Sequence, residues 1–84
     1  MKRITELMLK KRVEYLNTIK GFEPNPPYST IGAYTLDYAY GGVSLHQYVN
    51  KGGAVTDIFR CGHMAKRELF NRIDAYTDGI ISTL

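Results

Sequence analysis

The chain has 84 residues, which is one domain near the lower limit for a self-sufficient core. Eleven Lys and Arg against eight Asp and Glu leave a net charge of +3, which admits an anionic partner without demanding one. The lone Cys61 excludes an internal disulfide, and no apolar run approaches the roughly 20 residues of a membrane span. The opening MKRITELMLKKR lacks the uninterrupted apolar stretch of a secretory signal. The expectation is a cytoplasmic protein with no membrane partner.

In chain order, ITELMLKKRVEYLNTIKG reads as a helix. Ile4, Met8, Tyr15, Leu16 and Ile19 share one broad side, Arg12 intrudes on it, and Gly21 supplies the cap. FEPNPPYSTIG then forms a loop, because three prolines and Asn25 defeat both helix and ladder. YTLDYAY (34–40) alternates as a strand, Gly41-Gly42 makes a two-residue turn, and VSLHQYV (43–49) alternates again. Asn50-Lys51-Gly52-Gly53 turns the chain into a third strand, AVTDIFR (54–60). A short helix over 44–51, started by Ser44-x-x-Gln47 and ended by Gly52, is the competing reading. The last helix begins near Gly62 or His63 and carries Ala65, Leu69, Ile73 and Tyr76 on one stripe. Glu68 and Arg72 pair along it, Gly79 ends it, and Ile80, Ile81 and Leu84 dock afterwards.

The expected fold is therefore α+β, a single small domain over 1–84 with the order α-β-β-β-α. A three-stranded antiparallel meander carries two helices on one face. With the turn at Gly41-Gly42, Asp37 faces His46, and His46 faces Asp57. The core face then holds Tyr34, Leu36, Tyr38, Tyr40, Val43, Leu45, Val49, Ala54 and Ile58. The opposite face sets His46 between two aspartates, ringed by Tyr48, Val55 and Phe59.

Asp37, His46, Tyr48, Val55, Asp57 and Phe59 are accordingly the expected partner-binding residues, since exposed apolar surface around a charged centre marks an interface. The partner is a protein, or a second copy of the chain. A second candidate is an anion site of Arg60, Gly62, His63, Lys66 and Arg67. Cations at a helix start oppose the helix dipole, which a bound phosphate would offset, and unpartnered amides at residues 63 to 65 would greet it. Nucleic acid is the partner on that reading. No Ser or Cys nucleophile stands beside His46 and no phosphate-loop or dinucleotide fingerprint occurs, so the chain is not read as an enzyme. Cys61-x-His63 with His46 and an aspartate offers zinc-ligating atoms, but single ligands at scattered spacing do not announce a site. No metal or cofactor is assigned.

The order of elements resembles the double-stranded-RNA-binding domain over nearly the whole chain. That family opens its last helix with Lys-Lys-x-Ala-Lys; GHMAK matches it at Ala65 and Lys66. Its groove-reading histidine, in the loop between the first two strands, has no counterpart in Gly41-Gly42. The string YTLDYAYGGVSLHQYVNKGG, with KRELFNRIDAY after it, also resembles small accessory proteins of tailed bacteriophages. That resemblance implies a protein that acts by binding a host or defence component.

Overall fold

The computed structural model describes residues 3–83. The first helix, α1 (Glu6–Ile19), starts where the Thr5 hydroxyl accepts the Met8 amide at 3.2 Å. It stops at Gly21, whose φ of +90° lets Phe22 N–H reach the Asn17 carbonyl at 2.9 Å while Gly21 N–H bonds Thr18 at 3.1 Å. The buried stripe is Leu9, Val13, Leu16 and Asn17, one step round from the expected side, and Tyr15 is 46% exposed. Asn17 disguised that stripe, because a carboxamide in the core reads as a solvent residue. Arg12 lies between the helices, 3.0 Å from Asp74 and stacked 5.1 Å over Phe70.

Asn17 has a main-chain role. Its Oδ1 accepts Tyr34 N–H at 2.8 Å, and its Nδ2 donates to the Tyr34 carbonyl at 3.2 Å. The amide therefore stands in for a neighbouring strand where the sheet begins. Strands β1 (Tyr34–Ala39), β2 (Gly42–Tyr48) and β3 (Val55–Asp57) follow as an antiparallel meander in the order β1-β2-β3. Residues 42–48 are strand, so the short-helix alternative is set aside.

The first hairpin turns one residue earlier than expected. Tyr40 (φ 54°) and Gly41 (φ 73°) occupy the two left-handed positions, giving Leu36↔Leu45, Asp37↔Ser44 and Thr35↔His46. Gly42 is reserved for another purpose: a Cβ there would lie 3.0 Å from both the amide nitrogen and the carbonyl oxygen of Met64. Register moves by two residues, so each side chain keeps its face but changes its partner. The second hairpin matches expectation, with His46↔Asp57, Val49 bonded to Ala54 and Ile58 to Leu45.

The third strand is shorter than 54–60. After Ile58 the chain leaves the sheet, loops out, and returns at Met64, which exchanges two 2.9 Å hydrogen bonds with Val43. Only then does α2 (Lys66–Ile81) begin, later than Gly62 or His63, because residue 64 is held in strand geometry. Ala65 is its exposed N-terminal cap residue, and Gly79 lies inside the helix. Leu69, Ile73 and Thr77 face inward, with Tyr76 half-buried beside them, and Glu68 pairs with Arg72 at 3.4 Å. Ile80 packs against the core and Ile81 is 39% exposed; Leu84 lies outside the described residues.

Both helices cover the sheet side bearing Tyr34, Leu36, Val43 and Leu45. Leu9, Leu16, Leu45, Leu69 and Ile73 are fully buried, each worth about 1.5–3 kcal/mol. Tyr38, Tyr40, Val49 and Ala54 are exposed rather than core. The helices contact β1 and β2 but not β3, and Tyr40 sits in the turn.

Asn17→Ala is expected to cost about 2–3 kcal/mol in denaturant unfolding, since it strands two buried main-chain groups of Tyr34. Burial, then the 3.0 Å hydroxyl contact with Tyr76, push the Tyr34 phenol above its ordinary value. The unfolded chain therefore ionises Tyr34 first, and stability falls as pH rises past about 10. Tyr34→Phe should flatten that alkaline loss in melting curves taken across this range; an unchanged slope counts against the assignment.

Candidate functional site

The uncovered face of the sheet is built from alternate residues: Thr35, Asp37 and Ala39 from β1, Ser44, His46 and Tyr48 from β2, Val55 and Asp57 from β3. His63 joins them from outside the sheet. Met64 points inward with Val43 and is buried, so the residue before it falls over the opposite face. There His63 Nε2 meets Asp37 Oδ2 at 2.7 Å. Its ring lies 6.2 Å from the His46 ring and 5.7 Å from that of Tyr40.

His46 is not held between two aspartates. Asp37 stands opposite Ser44, a consequence of the two-residue register change, and its carboxylate goes to His63. Asp57 is opposite His46 but turns away: Oδ1 accepts the amides of Phe59 and Arg60, each at 3.2 Å, and Oδ2 accepts Gly62 N–H at 2.9 Å. His46 Nε2 shares a hydrogen bond with Ser44 Oγ at 2.8 Å. Ser44 is fully buried, which removes its hydroxyl from any substrate.

Phe59 leaves the predicted patch. Its ring lies 5.8 Å from that of Tyr76 on α2 and packs against the core, because the excursion after Ile58 breaks the alternation that placed it outward. Tyr48 and Val55 remain on the uncovered face, with Val55 41% exposed. Tyr28 from the proline loop, 78% exposed, meets Tyr48 edge-on at 5.5 Å.

The cation cluster has a different setting from the one expected. The amides of residues 60 and 62 already surround an anion, the chain's own Asp57 carboxylate, and the Met64 amide bonds Val43. The expected set of outward-pointing amides at residues 63 to 65 is therefore broken at Met64, and the His63 ring is engaged with Asp37. Lys66 and Arg67 lie in the first turn of α2 with Glu68, and Arg60 is exposed at a φ of +55°. Cys61 is exposed, its thiol donates to the Phe59 carbonyl at 3.1 Å, and it is not among the Asp37, His46 and His63 donors that come together.

The chemically distinctive cluster is thus Asp37, His46 and His63, whose donor atoms all lie within 4.8 Å of one another. His46, His63 and an aspartate are among the zinc-ligating atoms the sequence offers, without Cys61, but that they meet depends on where the chain rejoins β2. Among the described residues no helix is long and apolar enough to cross a membrane.

Removing the Asp57 carboxylate should loosen the segment that carries His63. Asp57→Ala is expected to cost about 1–2 kcal/mol, as loss of a good helix cap does. It should also speed amide exchange at residues 59, 60 and 62. Protection unchanged at all three would show that the loop holds without Asp57.

No family model, curated protein or solved structure matches the chain, and the chemistry of the site rests on its own geometry.

Proposed function

We propose that this chain is a small non-enzymatic binding protein that engages a protein partner across the uncovered face of its sheet. The observation that carries this reading is the aromatic and aliphatic surface left uncovered beside the histidine cluster. Tyr28, Tyr48 and Val55 are contiguous at one end, and Tyr40, 97% exposed, stands against His63 at the other. Apolar surface around a polar centre suits recognition, and tyrosine supplies area at little entropic cost. The hydroxyl bonded to His46, that of Ser44, is buried and out of a substrate's reach. The resemblance to phage accessory proteins points to a host or defence component as that partner, in the cytoplasm. Nucleic-acid binding through Arg60, Lys66 and Arg67 has less support, since the amides of residues 60, 62 and 64 are bonded within the chain.

The test is a Tyr48→Ala/Val55→Ser variant, shown by circular dichroism to remain folded, compared with the wild type in affinity capture. It should lose a protein that the wild type retains. A variant that keeps every partner overturns the reading. Sedimentation of the pure protein identifies a second copy as the partner if a wild-type dimer becomes monomeric in the variant. Retention on duplex RNA at about 50 mM salt, with a log–log salt slope near −0.9 per phosphate engaged, would instead favour the nucleic-acid reading.

A further inference from the structure

We infer that Asp37, His46 and His63 form a binding site for one divalent transition metal of the zinc class, with a fourth coordination position facing outward. Three separate segments supply the ligands: β1, β2 and the chain returning to the sheet before α2. Two imidazoles and one carboxylate are a donor set that suits zinc, whereas magnesium and calcium favour shells of oxygen.

The distances fit. Zinc bonds of about 2.0–2.2 Å in a tetrahedral site put neighbouring ligand atoms about 3.3–3.6 Å apart. Here the three donors lie within 4.8 Å of one another, and His63 Nε2 and Asp37 Oδ2 are at 2.7 Å. Enclosing an ion asks that pair to open and His46 to swing in, movements on the order of 1 Å that side-chain rotation supplies. The metal would take the place of the proton shared by His63 and Asp37, which leaves to solvent.

A histidine–aspartate pair alone would be an ordinary surface contact. The third group argues for more. His46 hydrogen-bonds neither His63 nor Asp37, yet its ring is brought to 6.2 Å from that of His63. Ser44, fully buried, holds the His46 ring in place through a 2.8 Å hydrogen bond to Nε2. The site is also reachable: the Asp37 side chain is 48% exposed and that of His63 18%. A bound ion would fasten the segment before α2 to two strands, a useful staple in a chain this short.

The experiment titrates the intact chain with Zn2+ by calorimetry while following the ring resonances of both histidines by NMR. It needs no macromolecular partner, so its failure is separate from failure of the binding proposal. One ion per chain is expected, with both rings shifting together and the melting temperature rising with the logarithm of free metal. Asp37→Asn, His46→Ala and His63→Ala should each weaken binding about tenfold or more. Cys61→Ala should leave it unchanged, and Mg2+ and Ca2+ should not compete. Should a histidine variant fail to fold, the paired shifts in the wild-type chain still decide the matter. Absence of binding, a shift at only one histidine, or loss of binding in Cys61→Ala overturns the site.

Discussion

Two main-chain hydrogen bonds between Val43 and Met64, each 2.9 Å, govern most of what is distinctive in this domain. They return the chain to the edge of β2 after an excursion that would otherwise end the sheet. Met64 is thereby buried, His63 is set over the opposite face, and α2 starts at Lys66 on the side where Leu69 and Ile73 meet α1. The same contact favours a glycine at position 42, because a Cβ there would lie 3.0 Å from the Met64 backbone and push on it. With Gly42 committed, Tyr40 must take a left-handed conformation in the turn, a backbone strain that an interior contact supports.

The excursion itself is organised by a carboxylate. Asp57 accepts three amides from the five residues after it, so the loop closes around an anion the chain provides. This gives a physical setting for FRCGHMAKREL: the run of cations adjoins a carboxylate already in place, and Glu68 joins Lys66 and Arg67 in the first helical turn. At the other end of the sheet, the Asn17 carboxamide treats Tyr34 as a strand neighbour would. Polar side chains thus finish main-chain pairing at two places where a short chain has no further strand to offer. Buried polar groups are tolerated because their bonds are made.

The sequence carried the element order and the faces of the sheet. Tyr34, Leu36, Val43 and Leu45 alternate as they should, and a one-residue shift of the first turn, two residues in register, left that alternation intact. It did not leave the partners intact, and the expected placement of His46 between Asp37 and Asp57 failed for that reason. Phe59 packs against Tyr76 and the core because strand alternation ends before it, β3 stopping at Asp57. Of the expected α1 stripe, Leu16 is buried and Ile4 and Ile19 pack against the core, while Leu9, Val13 and Asn17 lie outside it; Asn17 looks polar in a string and acts as part of the sheet in space.

Alternation of apolar and polar residues, turn glycines and helical spacing determined, without tertiary information, an α-β-β-β-α domain with two helices on one side of a meander. These signals are local and each repeats over several residues. Only the tertiary structure decided that Asp37, His46 and His63 meet. They are 9 and 17 residues apart, and their approach depends on one long-range return of the chain at Met64 and on the turn residue that this return dictates. Side chains from three segments converge where backbone packing sends them, and no spacing within a single segment encodes that.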